Sequence, residues 1–185
     1  IIGQSAMDGA VTLTWSVPGA AVLNVTANDF LLANFTAYNN ANKFTLGKNF
    51  ALWSIGDRTA IFYSSLFGAQ DTIYTGPQRA YFHQSIINGS SDFLYGEGSA
   101  VWENCTLIGQ SGPKEWSFLT AHSGENISST GVRGTSGNRS AYLIQNSLIK
   151  KPAGAVPGRT WLGGPWGAGG RGGERAQRAG RQSPG

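Results

Sequence analysis

Arg58-Thr-Ala-Ile-Phe-Tyr-Ser-Ser-Leu-Phe-Gly-Ala-Gln-Asp71 and Arg79-Ala-Tyr-Phe-His-Gln-Ser-Ile-Ile-Asn-Gly-Ser-Ser-Asp92 superimpose at an offset of 21 residues. The offset puts Arg58 on Arg79, Ser64 on Ser85, Gly68 on Gly89 and Asp71 on Asp92. A repeat of about 20 residues built from β-rich units is the mark of a stacked solenoid. Equivalent positions on successive turns of a solenoid lie one strand spacing apart, about 4.8 Å. The repeat therefore predicts two carboxyl side chains on neighbouring rungs at the same azimuth. Carboxyl groups that close cannot both ionise freely, so their pKa values separate. An acid and a nucleophile need that separation.

The repeat extends beyond the two lines. Ser64, Ser85, Cys105 and Ser147 form a column of small residues with gaps of 21, 20 and 42. Leu66, Ile87, Leu107 and Ile149 form an aliphatic column with the same gaps. Recurring small and aliphatic positions are what rungs stacked on one apolar core require. The gap of 42 is read as two rungs, with a less regular one near Glu115 to Thr120 and a loop over residues 121–140.

Outside the repeat, short strands are expected at Val11 to Trp15, Val22 to Thr26, Phe30 to Tyr38 and Phe50 to Ile55. Pro18-Gly19, Asn28-Asp29, Asn39 to Asn42 and Gly56-Asp57 break them. Strands longer than about six residues are not expected on short rung faces. No amphipathic helix is evident.

Composition agrees with this class. The chain has 185 residues, enough for one cored domain. Charged residues make up only 13%, well below the usual share, which speaks against helical bundles. The net charge of +4 is unevenly spread. Residues 1–166 carry ten Lys and Arg against nine Asp and Glu, and residues 167–185 carry four Arg against one Glu. The latter segment has no apolar side chain larger than Ala, so it is expected to be a disordered tail, with residues 1–166 as the β domain. The single cysteine, Cys105, excludes an internal disulfide and reads as a small buried residue. No apolar run reaches membrane-spanning length. Six Asn-x-Ser/Thr triplets, at Asn24, Asn34, Asn88, Asn104, Asn126 and Asn138, are compatible with a secreted glycoprotein.

Four blocks then resemble the signature blocks of pectin methylesterases, the carbohydrate esterases of right-handed parallel β-helix fold. They are Gln70-Asp-Thr-Ile-Tyr74, Gly89-Ser-Ser-Asp-Phe-Leu-Tyr-Gly96, Glu103-Asn-Cys105 and Arg159-Thr-Trp-Leu-Gly-Gly-Pro-Trp166. Asp29-Phe-Leu31, Asn34-Phe-Thr36 and Ala51-Leu52 with Asp57-Arg58 also resemble family strands. The resemblance covers about residues 1–166 and implies a single-stranded solenoid truncated at both ends.

The resemblance also implies roles. Asp92 would be the nucleophile, forming an acyl-enzyme anhydride with a galacturonate methyl ester. Asp71 would be the general acid and then the base. Gln70 would donate to the oxyanion, and both it and Asp71 can face the site only if the backbone bends between them. Tyr74, Phe93 and Trp166 would stack on sugar rings. No metal or cofactor is implied. The expected partner is methylated homogalacturonan, with no nucleic acid and no membrane. A monomer acting outside the cell, in the cell wall, is expected.

Two positions depart from the family pattern. Gly164 stands where the family carries an Arg that orients the nucleophile through a charge-assisted hydrogen bond. Lys48 falls where the family carries a second glutamine. A chain of weakened activity, or a relative that only binds polygalacturonate, follows as the alternative. A Gly- and Arg-rich tail raises nucleic-acid binding as a third reading, which the lack of any Phe, Tyr or Trp after Trp166 opposes. Gly134-Thr-Ser-Gly137 is not a nucleophile elbow, His83 and His122 are isolated, and Asp57 reads as a turn residue.

Overall fold

The structure, a computed structural model, describes residues 1–3, 11–41, 47–110, 116–123, 140–152 and 159–165. Among these described residues, seventeen strands follow one another in rungs. After β1 (Val11–Trp15) and β2 (Leu23–Val25) come β3 (Leu31–Ala33), β4 (Phe35–Asn39) and β5 (Leu52–Ser54). The next rung is β6 (Thr59–Phe62), β7 (Ser65–Phe67) and β8 (Ile73–Thr75). Then follow β9 (Arg79–His83), β10 (Ile86–Gly89) and β11 (Leu94–Gly96), and β12 (Ser99–Glu103), β13 (Thr106–Gly109) and β14 (Trp116–His122). The last is β15 (Tyr142–Gln145), β16 (Leu148–Lys150) and β17 (Arg159–Pro165).

Each rung from β3 onward gives one strand to each of three parallel sheets, and β1 and β2 each add one strand to two of them. Their orders are β3-β6-β9-β12-β15, β1-β4-β7-β10-β13-β16 and β2-β5-β8-β11-β14-β17. This is a three-faced parallel β-helix, with no helix among the described residues.

Left-handed backbone turns the corners. Asn34, Tyr63, Gln84, Asn104 and Asn146 have φ between 45° and 59°, each between a first-face and a second-face strand. Positive φ is costly for residues with a Cβ and least so for Asn and Asp. The residue after Tyr63, Gln84, Asn104 and Asn146 belongs to the small column, whereas Phe35 follows Asn34. The Oγ of Ser64 accepts from the Phe35 N–H at 3.2 Å, Ser85 Oγ from Ser64 N–H at 3.2 Å, and Ser147 Oγ from Cys105 N–H at 3.0 Å. These serines also donate back to carbonyls of Phe62, His83 and Gln145. A hydroxyl here satisfies a corner amide that no strand ladder reaches, which is why the column is small and polar. Cys105 fills its place as a buried thiol.

The core runs down the solenoid axis. Leu32, Ile61, Phe82 and Trp102 stack on the first face, Ala37, Leu66, Ile87 and Leu107 on the second, and Leu52, Ile73 and Leu94 on the third. All of these are buried, whereas Ile144 and Ile149, which continue the first two columns at the last rung, are not, and each fully buried aliphatic contributes about 1.5–3 kcal/mol. Phe82 and Trp102 stack with centroids 5.3 Å apart. On an exposed corner, Arg58 pairs with Asp29 and Asp57, and Arg79 with Asp57. The matched arginines of the two lines thus alternate with aspartates in a surface ladder, and Asp57 serves that ladder.

Four sequence expectations are corrected. Phe30 to Tyr38 is two strands, because Asn34 (φ 59°) turns the chain between faces. The gap of 42 is one rung: β13 pairs β16 directly, with Leu107 opposite Ile149. The residues near Glu115 to Thr120 belong mostly to β14, the regular third-face strand of that same rung. A solenoid corner accommodates an insertion of any length provided the strands on either side keep register. Strands of seven residues also exist, β14 and β17. Most of the expected loop over 121–140, the tail from 167, and Trp166 lie outside the described residues.

Candidate functional site

The site forms at the second corner, where chain passes from the second face to the third. Gly68 to Thr72 joins β7 to β8, and Ser90 to Phe93 joins β10 to β11. The two corners stack in register. Asp71 N–H donates to Ser91 O at 3.0 Å, Ser90 N–H to Ala69 O at 2.9 Å, and Ile73 N–H to Phe93 O at 2.9 Å. Thr72 is fully buried, and its hydroxyl faces the carbonyls of Ala69 (3.2 Å) and Asn88 (3.1 Å), tying one corner to the next.

Asp71 and Asp92 both adopt left-handed backbone, with φ of 57° and 51°. The bend that the adjacent pair Gln70 and Asp71 needs is therefore present. Gln70 is half-buried, and its side-chain amide favours the ionised form of the Asp71 carboxyl. Gly68 and Gly89 precede the two corners at equivalent positions. A Cβ on Gly89 would meet Phe93 Cβ and Thr72 Oγ1, so glycine is required for close approach.

The previous rung contributes Lys48, which bridges in parallel register to Gln70. Its ammonium lies 3.7 Å from Asp71 Oδ2 and 4.9 Å from the centre of the Tyr95 ring. Burial, opposed by Lys48 and Gln70 and reinforced by Asp92, raises the Asp71 carboxyl to about 6. Burial alone raises Asp92. Burial also raises the Tyr95 phenol to about 12, with Asp71 and Asp92 adding to the rise.

An aromatic column runs past the acids on the outer side of the third face. Register places Trp53, Tyr74, Tyr95, Ala121 and Gly164 in successive strands. Trp53 and Tyr74 stack at 3.9 Å, and Tyr74 and Tyr95 lie 5.2 Å apart. Tyr74 sits between its neighbours, only 8% exposed, and its hydroxyl donates to Glu97 at 2.7 Å. Trp53 and Tyr95 are less buried.

Among the residues named from sequence, Gln70, Asp71, Asp92 and Tyr74 come together here. Phe93 does not. It is fully buried in the core, packed against Gly89, and offers no face to a ligand. Phe93 lies in the corner before β11, just after the left-handed Asp92, and so falls outside the strand alternation that sets Tyr95 beside Tyr74 on the outward side. Trp53 and Tyr95 were missed, although the 21-residue offset applied to Tyr74 in both directions reaches them. Among the described residues, no three His, Cys, Asp or Glu side chains gather in a way that could hold a metal ion.

The parallel β-helix thus carries a carboxyl pair on stacked corners beside an aromatic stripe. The pectinesterase family model matches residues 1–171, and the chain belongs to that family. A probable pectinesterase/pectinesterase inhibitor of Arabidopsis thaliana is 30% identical over 157 residues, which is 82% of this chain and 28% of that protein. A Petunia integrifolia pectinesterase is 28% identical over 90% of this chain and 45% of its own length. This chain thus spans less than half the length of the curated relatives it matches. Among solved structures, carrot pectin methylesterase has a TM-score of 0.71 at 23% identity, over 86% of this chain and 52% of that one. Pectin methylesterase PemA from Erwinia chrysanthemi has a TM-score of 0.69 at 23% identity, over 84% and 53%. These likenesses establish the shared β-helix.

Proposed function

We propose that this site hydrolyses methyl esters of homogalacturonan, releasing methanol and leaving a free carboxylate. The observation that carries this reading is the stacking of Asp71 and Asp92 on equivalent left-handed corners, with the Gln70 amide beside them. Asp92, less hindered from ionising, attacks the ester carbonyl carbon. Negative charge then develops on the carbonyl oxygen, and the Gln70 amide donates a hydrogen bond to it. The tetrahedral species collapses, its bond to the methoxy oxygen breaks, and the Asp71 carboxyl delivers its proton to the departing methanol. An anhydride now joins Asp92 to the galacturonyl group. Asp71, ionised by the first step, takes a proton from water as that water attacks the anhydride. Asp92 is released as carboxylate and Asp71 is protonated again, so the cycle closes.

An Asp71 pushed up to about 6 holds its proton in mildly acidic surroundings, which suits this acid role. Trp53, Tyr74 and Tyr95 present the apolar stripe on which sugar rings would lie. A methylated, partly charged wall polymer is the substrate that fits, and the protein acts as a monomer outside the cell. Gly164 favours a second reading, a relative that binds polygalacturonate with weak turnover. It stands in the Tyr95 column without the cation that would keep Asp92 ionised and aimed.

The test is methanol release from highly methylated pectin by the folded parent and by Asp92→Ala. Release that the substitution lowers by at least about a thousandfold supports the aspartyl esterase. Retained binding to polygalacturonate with no release supports the second reading. Release unaffected by Asp92→Ala would sink the mechanism.

A further inference from the structure

Lys48 comes from the rung before Asp71, yet its ammonium reaches the Asp71 carboxylate oxygen at 3.7 Å. The two ends of this pair differ sharply in environment: the lysine side chain is 49% exposed and the aspartate 4%. The lysine also packs over the Tyr95 ring at 4.9 Å. Parallel register with Gln70 anchors its backbone, and the Asn49 N–H donates to Gln70 O at 2.8 Å. It is therefore pinned at three points: backbone to the next rung, ammonium to the acid, and ammonium to the ring.

We propose that Lys48 is a positioning residue for the acid pair, which holds the Asp71 carboxyl against Gln70 and sets how readily that carboxyl releases its proton. Groups facing Asp71 are few. Gln70 is neutral, Asp92 and the Tyr95 phenol are acidic, and Lys48 is the one cation among the described residues that acts on it. A cation within about 4 Å stabilises the ionised carboxylate, whereas burial and Asp92 oppose it. Lys48 thus makes Asp71 a readier proton donor to the leaving group and a weaker base toward water. It also places the positive charge beside Asp71, whereas the Arg implied at position 164 by the family pattern would serve Asp92. In this chain the cation acts on the acid, while burial opposes ionisation of the nucleophile.

The consequence for turnover rests on the esterase reading; the pairing itself does not. The experiment is therefore read first without activity. The full chain carries 13C-labelled aspartate carboxyls, titrated by NMR, with Asp71 assigned through Asp71→Asn. In Lys48→Met and in Lys48→Gln the Asp71 midpoint is expected to rise by about one pH unit, and in Lys48→Arg to stay near that of the parent. A midpoint unchanged in both neutral variants overturns the proposal, as does an equal rise in Lys48→Arg. The alkaline limb of kcat/KM for methanol release should move upward with the midpoint. A limb that stays while the midpoint moves also overturns it. No methanol release by the parent at any pH, together with a moved midpoint, removes the esterase reading and leaves the pairing intact.

Discussion

Asp71 and Asp92 hold the same corner of consecutive rungs, each with a left-handed backbone, and the Asp71 N–H is bonded to the carbonyl of Ser91 just before Asp92. Two strained, partly desolvated carboxyl groups at one edge of a solenoid cost stability. That cost is retained at a site and would be removed elsewhere.

Replacing the acid should therefore stabilise the fold in a pH-dependent way. The Asp71 carboxyl is raised from its ordinary value to about 6. Its native-state contribution is fully present below about pH 4 and is lost as pH rises through about 6, because the folded state then binds more protons than the unfolded one. Asp71→Asn is expected to be more stable than the parent at pH 7.5, by about 1–3 kcal/mol. The difference should vanish near pH 4. Urea denaturation at both pH values checks this, and an unstable variant at pH 7.5 would contradict it.

Sugar contact should fall on Tyr95 and spare Phe93. Tyr95→Ala removes a half-buried ring from the outer stripe and is expected to raise KM, or the Kd for oligogalacturonates, about tenfold. Phe93→Leu leaves the stripe intact and empties part of the core, so it should lower Tm while leaving the Kd unchanged. Calorimetric binding alongside thermal melting separates the two.

Restoring a cation to the Asp92 side should help catalysis. Gly164 pairs with Ala121, which pairs with Tyr95, so an arginine at 164 would extend along the column over a small residue. A charge-assisted bond of about 1.5–3 kcal/mol predicts a ten- to hundredfold gain in kcat for Gly164→Arg. Methanol release by the folded variant at or below the parent's rate would refute the prediction.

Close approach at the corner should be intolerant of even one carbon. Gly89→Ala brings a Cβ onto Phe93 and Thr72, both of which are fully buried. A loss of about 2 kcal/mol or more is expected from overpacking. The Asp92 corner shifts with it, so methanol release should fall together with stability, as measured by paired melting and rate assays.

The chain order already contained the 21-residue period, and that period alone stacks Asp71 under Asp92 and Leu66 under Ile87. It did so because a parallel solenoid converts sequence offset into spatial adjacency with no further folding information. Lateral relations were not legible in this way. Whether Phe93 or Tyr95 faces outward depends on the left-handed turn at Asp92, which resets the strand alternation. The single rung between Cys105 and Ser147 looked like two because an insertion lengthens a rung without adding a layer. Lys48 reaches Asp71 across a rung boundary at a spacing of 23, where the period breaks and only backbone pairing with Gln70 fixes the register. Local pattern thus determined which residues repeat, and the tertiary structure decided which of them face the same groove, since side-chain direction at a corner is set by dihedrals that no spacing encodes.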